Sequence, residues 1–309
     1  MALSIGARIE LWASKKAAIR AFFAARTVQE VSVPCVMPAP VTDPYIDVPQ
    51  AIAPDGRLLG YLQSSPEYAM KRLLAQGAGD IYCLTPAWRI DEVGRRHRGE
   101  FTLLEWYRAG FDGAALRAET SALLQILLQC PPADEISYRD AFLQHLGFCP
   151  FQASDAEIAA ALHQHLNYSD PLSRTGALQW LCAAVVEPQL GAQRPVFLTH
   201  YPLDQAALAR GCVHQGFPCA DRFELFYHGV ELANGYHELI DPIEQRHRFE
   251  ADLAQRQREG LPQVPMDEAL LEALPQMPDC AGIALGLDRV VMLAAQADSL
   301  DAISLFSHP

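Results

Sequence analysis

No apolar run in this chain is long enough to cross a bilayer. The longest, around Ala177–Val186, is broken by Gln179, whereas a spanning helix needs about 20 consecutive apolar residues. The opening residues, MALSIGARIELWASKK, lack the continuous apolar core of a secretory signal. Basic charge is scarce as well. A formal net charge of −13 at pH 7 argues against holding nucleic acid mainly through its phosphates, which demands clustered Lys and Arg. Cysteine pairs at metal-site spacing are also missing. Of the eight cysteines the nearest grouping is Cys212, His214 and Cys219, and no second ligand pair at finger-like spacing completes a zinc site. Scattered reduced thiols fit a cytosolic protein. There are no internal repeats and no low-complexity tail. The expectation is a soluble, cytoplasmic protein without membrane attachment. Its 309 residues, 50% hydrophobic, suffice to bury a large core.

Helical spacing of Ile9, Trp12, Ile19, Phe22 and Phe23 predicts a helix over 8–23, and Val31-Ser32-Val33 reads as a short strand closed by Pro34. From Pro38 to Gly60, Pro and Asp predict a loop or irregular hairpin. Ser65 then suits the N-cap of a helix with Pro66 at its first position. Helices are expected over 115–129 and repeatedly within 138–187, the latter read as an insertion packing on a sheet. A β-rich stretch starts at Phe197 and leads to two antiparallel strands joined by a tight turn at His228-Gly229. Helices near 243–258 and 267–274 precede a final strand-to-helix segment, GIALGLDRVVML at 282–293.

Two separated stretches carry most of the chemistry. Arg89 ends an apolar strand and opens the loop IDEVGRRHRGEF, after which a second apolar run follows. Its planar, permanently charged guanidinium can grip a phosphate oxygen with two hydrogen bonds and stabilise charge developing during in-line displacement. Roughly two hundred residues later, Gly286 and Arg289 stand where a strand gives way to a helix. A helix start favours phosphate, and glycine lets the backbone approach a nucleoside. Two arginines anchored in this way suit a nucleoside triphosphate attacked at its α-phosphorus. Between them, Glu231 and Glu238 flank a β-bend and can hold Mg²⁺ against phosphate oxygens. Asn234 could bind a substrate carboxylate. In a regular strand Glu231 and Asn234 face opposite sides, so their convergence requires a bulge, which Gly235 is placed to allow.

The two arginine segments resemble motifs 2 and 3 of the class II aminoacyl-tRNA synthetases in their lysine-type form, and the first helix and strand resemble motif 1. The likeness extends over about residues 8–307. It implies an α+β fold, an antiparallel sheet flanked by helices, as one catalytic domain over 1–309 with a helical insertion at about 138–187. It further implies a homodimer and adenylate chemistry with ATP and Mg²⁺. Arg89 and Arg289 take the catalytic positions. Ile90, Asp91, His97, Arg98, Phe101, Glu231, Leu232 and Gly286 match ATP-binding positions, with His97 and Arg98 toward the distal phosphates and Phe101 stacking on adenine. Ser65, Pro66, Glu67, Tyr107, Asn234, Glu238 and Ala284 match amino-acid-binding positions, with Glu67 as the carboxylate that selects a dibasic substrate and Glu244 as a second candidate. Two departures stand out. Asp91 replaces the usual Glu, which leaves Asp91 or Glu92 to contact adenine, and Arg98 replaces an Asn.

No oligonucleotide-binding barrel precedes the first helix, which implies the absence of an anticodon-binding domain and disfavours tRNA as acceptor. The stretches SSPEYAMKRLL, EFTLLEWYR, ELANGYHEL and MPDCAGIALGLDRVVML are most similar to truncated lysine-type paralogues that ligate (R)-β-lysine to elongation factor P. Ala284 supports this, since tRNA-charging relatives carry Gly there. The resemblance therefore implies elongation factor P as protein substrate and lysine or (R)-β-lysine as the activated amino acid. The alternatives are a minimal lysine-type tRNA-charging enzyme and a non-catalytic regulatory paralogue. Regulatory paralogues typically lose the arginines or metal carboxylates, and all four are present here.

Overall fold

The computed structural model describes residues 3–90 and 94–306. In chain order the main elements are α1 (Ile5–Ala24), β1 (Gln29–Glu30), β2 (Val36–Met37), β3 (Gln50–Ile52), β4 (Leu58–Leu62), α2 (Glu67–Ala75), β5 (Ile81–Trp88) and β6 (Glu100–Ala109). Next come α3 (Gly113–Leu128), β7 (Asp134–Ser137), α4 (Tyr138–Leu146), α5 (Asp155–Leu166), α6 (Arg174–Leu181), β8 (Val196–Pro202) and β9 (Gly211–His214). The chain continues through β10 (Phe217–Tyr227), β11 (Val230–His237), α7 (Pro242–Arg258), α8 (Glu268–Ala273), β12 (Cys280–Gly286) and α9 (Leu287–Ala294). Among the described residues no helix is long and apolar enough to cross a membrane.

The chain forms two compact units. One comprises the chain up to Phe111, Ile126–Leu128 and the chain from Leu239 onward, and the other Asp112–Gln125 and Gln129–Glu238. In the first unit β5, β6 and β12 pair antiparallel, with β1 added parallel to β5. Ser4 caps α1 by accepting from the Ala7 N–H, and α1 packs onto this sheet through Phe23. The Phe23 ring stacks on Tyr82 at 4.4 Å and meets Trp106 edge-on at 5.5 Å. Burying one such side chain stabilises the fold by about 1.5–3 kcal/mol. The strand expected over 31–33 lies two residues earlier: Gln29 and Glu30 pair with Ile81 and Tyr82 of β5, and the Val31 N–H adds one further bond to Tyr82 O at 2.8 Å. The region from Pro38 to Gly60 holds the irregular hairpin expected: β3 pairs antiparallel with β4 through a register shift between Ala51 and Ile52, and β2, just before this region, adds to the other edge of β4.

α7 starts at a cap its sequence encodes. Asp241 accepts from the Ile243 and Glu244 N–H groups and Pro242 occupies the first turn. Farther along α7, Asp252 accepts from Thr42 Oγ1 at 2.7 Å. Burial pushes its carboxyl up to about 6, Asp43 pushes the same way, and the Thr42 hydroxyl opposes them. A raised folded-state value stabilises the fold below about pH 4, and that contribution is lost as the pH rises through about 6. Asp252→Asn should therefore gain about 1–2 kcal/mol over wild type above pH 6, after allowance for the water still reaching this group, and lose part of the pH dependence below it. Urea unfolding at several pH values checks this; equal gains at pH 4 and pH 8 would refute it.

In the second unit β8, β10 and β11 are antiparallel, β9 pairs with the outer half of β10, and β7 joins β8 parallel. The helices expected over 138–187 are α4, α5 and α6. They bury Phe142, Ile158, Leu162 and Leu181 against Leu198 and Tyr201 of β8 and Phe226 of β10, which is the packing on a sheet that the sequence predicts. The architecture is the expected α+β one, antiparallel strands flanked by helices.

Candidate active site

The β5–β6 hairpin places the first arginine. The Arg89 N–H donates to Gly99 O at 2.9 Å and closes the intervening loop, and its guanidinium lies over the Phe101 ring at 5.3 Å. Ile90 is 44% exposed on the rim of this loop, and Asp91 and Glu92 lie outside the described residues. Arg95, Arg96 and His97 line a cavity of about 480 Å³ together with Asp298. Arg98 turns elsewhere: its guanidinium donates to Ser304 Oγ at 2.9 Å and to Asp301 Oδ1 at 2.7 Å. The expectation that Arg98 faces the phosphates thus meets a side chain held by the C-terminal segment, and Arg95 and Arg96 are the basic groups lining the cavity.

The β12–α9 junction supplies the second arginine. Gly286 is the N-cap of α9, and Asp288 accepts from the Thr102 N–H at 2.7 Å, tying the helix start to β6. Burial raises the Asp288 carboxyl above its ordinary value against the opposing Thr102 bond. One residue on, Arg289 Nε donates to Arg96 O at 3.3 Å. The fold thereby brings Arg289 beside the loop that follows Arg89, across nearly two hundred residues of sequence.

A buried carboxylate forms a third feature of this unit. Glu105, on β6, is 2% exposed. Its two oxygens accept from Ser65 Oγ at 2.6 Å and from Tyr107 OH at 2.7 Å. Register places Ala284 directly opposite Glu105 and Gly282 opposite Tyr107, so the Ala284 methyl and the Glu105 side chain share a face of the sheet. Ser65 is not the helix cap expected. Pro66 holds that position without a side-chain bond, and Ser65 Oγ accepts from the Glu67 N–H at 3.1 Å while donating to Glu105. Glu67 is engaged with Lys71 at 2.6 Å, an ion pair one turn apart in which the Lys71 side chain is fully buried. Glu244, the second candidate, is 48% exposed at the start of α7 and pairs with Arg248.

Glu105 is the residue sequence reasoning underweighted. Its signal was available, since an acid inside the strand EFTLLEWYRA, two residues from Tyr107, must share a face with it and be either exposed or satisfied.

In the second unit the β10–β11 hairpin turns at His228 and Gly229, with φ of 52° and 63°. Two successive positive values fit the tight turn that matches strand twist. The ladder shifts on β11: Phe226 pairs with Glu231 and Leu225 with Ala233, so Leu232 is the extra residue of a bulge. The bulge puts Glu231 and Asn234 on one face, as convergence requires, but it forms at Leu232 and not at Gly235. Asn234 Nδ2 donates to Tyr236 OH at 2.7 Å. Glu238 is fully buried, just beyond the end of β11, and its backbone carbonyl accepts from Arg210 Nε at 3.2 Å. Negative charge is concentrated here. Glu187 is pushed up to about 8, first by burial and then by repulsion from Glu224 and Glu231. Arg222, which pairs with Glu224, opposes it. Among the described residues no group of three or more His, Cys, Asp or Glu side chains is placed to hold a metal ion.

A family model described as tRNA synthetases class II (D, K and N) matches residues 4–309. The chain is similar to a protein from Salmonella typhi named elongation factor P–(R)-β-lysine ligase, 45% identical over 299 residues, covering 94% of this chain and 92% of that protein. A protein of the same name from Edwardsiella ictaluri is 46% identical over 304 residues, covering 96% of this chain and 93% of its own length.

Proposed function

This chain belongs to the class II tRNA synthetases of the D, K and N group, and we propose that it is an elongation factor P–(R)-β-lysine ligase, as its relatives are named, using ATP to join (R)-β-lysine to a lysine side chain of that factor. The observation that carries the substrate class is Glu105, 2% exposed and bracketed by the Ser65 and Tyr107 hydroxyls. A buried anion favours a substrate bearing an extra ammonium group and rejects a neutral analogue, which leaves the carboxylate without its counter-charge. We assign the ammonium to Glu105, with Ser65, Pro66, Glu67, Tyr107 and Ala284 around the amino acid; Asn234 keeps the substrate-binding role that the family resemblance implies. Glu67 acts through its tie to Lys71.

In the first step the amino-acid carboxylate attacks the α-phosphorus of ATP and releases pyrophosphate. Arg89 and Arg289 hold and neutralise the phosphate oxygens; Ile90, Phe101 and Gly286 border the nucleoside; Arg95, Arg96 and His97 receive the distal phosphates. Arg98 would join them on leaving Asp301. Glu231, set by the Leu232 bulge, and Glu238 would hold Mg²⁺, which when bound would offset charge on the triphosphate. In the second step a neutral acceptor amine attacks the adenylate carbonyl and AMP leaves. Catalysis is positioning and electrostatics, so no protein nucleophile is needed. We read residues 4–309 as one synthetase-type domain with the helices of 138–187 as an addition, working in the cytoplasm. Homodimerisation through α1, which exposes Ile5 and Ile9, belongs to the same reading.

The test is the intact mass of elongation factor P after incubation with this protein, ATP, Mg²⁺ and (R)-β-lysine. The expected result is a gain of one lysyl unit that is lost with Arg289→Ala. Lysylated tRNA with unmodified elongation factor P would replace this reading by the tRNA-charging one. A second expectation concerns Ala284, whose methyl stands beside Glu105. Ala284→Gly should shift the ratio of kcat/KM for α-lysine over β-lysine by about tenfold toward the α-amino acid, the scale of one methyl in a pocket. An unchanged ratio would exclude Ala284 as the discriminating residue.

A further inference from the structure

Cys212 and Cys219 are the one cysteine grouping singled out by spacing, and the adenylate chemistry makes no use of them. The fold sets them on neighbouring strands of a hairpin. Gln215 and Gly216 form its turn with φ of 50° and 84°, the two positive values of a two-residue hairpin. The register runs His214↔Phe217, Val213↔Pro218, Cys212↔Cys219 and Gly211↔Ala220. Counting outward from the turn, hydrogen-bonded and open pairs alternate. Pro218, which has no N–H, falls on an open pair, and Cys212↔Cys219 falls on a bonded one. Opposite residues of that kind have Cα atoms about 5.5 Å apart, inside the span that a disulfide bridges, about 4.4–6.8 Å. The two sulfurs already point at each other, Sγ to Sγ 3.6 Å.

We propose that Cys212 and Cys219 are a thiol–disulfide modification site, closing to a cross-strand disulfide when they meet a low-molecular-weight disulfide and reopening under thiol reductants. Access supports the order of events, because Cys212 is half-buried and Cys219 is 1% exposed. Cys212 sulfur attacks one sulfur of the reagent, forming a mixed disulfide and releasing the first reagent thiol. Cys219 sulfur then attacks Cys212 sulfur, forming the internal bond and releasing the second. The two protein thiol protons end on the two released thiols, and the reagent's S–S bond is the electron acceptor. Closing needs the sulfurs to approach, with no change of strand register. It fastens β9, an outer strand whose Val213 is 75% exposed, to β10.

Burial, and then the hydrogen bond and charge of Cys219, push the Cys212 thiol up to about 12. Burial likewise raises Cys219. Thiolate is therefore scarce near neutrality and exchange is slow, with a rate that climbs with pH. The site responds to a sustained oxidising condition and not to a brief pulse.

The experiment equilibrates the full-length protein in glutathione buffers graded from reduced to oxidised until labelling is constant, followed by acid quench, alkylation under denaturing conditions and peptide mass mapping. Cys212 and Cys219 should lose alkylation together, in a peptide lighter by two hydrogens, and recover it with dithiothreitol. Cys219→Ser should leave Cys212 carrying a single glutathione, and Cys212→Ser should leave Cys219 alkylatable. Full alkylation of both at the most oxidising ratio, separate glutathione on each sulfur, or bridging of either to another cysteine would each overturn the proposal.

Discussion

Arg289→Ala is expected to lower amino-acid-dependent ATP–pyrophosphate exchange by about 10²–10³-fold, the cost of removing one preorganised charge from a transition state. Arg289 stands in the first turn of α9, half-exposed, and its contact with the fold is one Nε bond to Arg96 O at 3.3 Å among others. The helix start itself is held by Asp288 on the Thr102 N–H and by the buried Leu287, Val290 and Val291, so the variant should keep its melting temperature within a few degrees. Arg289→Lys should recover little, because an ammonium cannot supply the planar two-point grip of a guanidinium. Exchange at the wild-type rate in the alanine variant, with the fold intact by circular dichroism, would remove Arg289 from the chemistry.

Glu105→Gln is expected to raise KM for the amino-acid substrate by about 30-fold or more while changing kcat less, because losing one partner of a buried charge pair costs about 2–5 kcal/mol. The substitution keeps the shape. The Ser65 and Tyr107 hydroxyls can rotate to meet an amide, so their bonds to residue 105 survive with donors and acceptors exchanged. Stability should hold or rise, since a buried carboxylate carries a desolvation cost that an amide avoids. The two readouts move in opposite senses, which separates substrate binding from a merely structural role. A kcat loss with unchanged KM would place Glu105 elsewhere in the mechanism.

Much of the fold was legible because it is local. The Gly-containing turn at His228-Gly229 and the strand-to-helix switch at Gly286 depend on neighbours a few residues apart, whereas Ser65, the one cap read from the sequence, donates instead to Glu105, 40 residues away. The need for a bulge on β11 followed from strand alternation alone: Glu231 and Asn234 cannot share a face without one extra residue. Its position did not follow. Gly235 has the freer backbone, yet the ladder slips at Leu232, where the pairing of a whole strand with β10 decides the register and the preference of one residue does not.

The sequence by itself determined which groups are present: two arginines at element ends, a pair of carboxylates about a β-bend, an α+β order of elements and apolar runs all shorter than a bilayer span. Only the tertiary structure decided what each group meets. Glu67 and Glu105 are both acids near the expected pocket, and nothing local distinguishes them. Packing gives Glu67 the ammonium of Lys71 one helical turn away and gives Glu105 two hydroxyls, one of them 40 residues distant. Arg98 meets Ser304 and Asp301 more than 200 residues on. Spacing and propensity act over a turn or two of chain, whereas a buried charge is assigned its partner by sheet register and burial, which involve the whole fold at once.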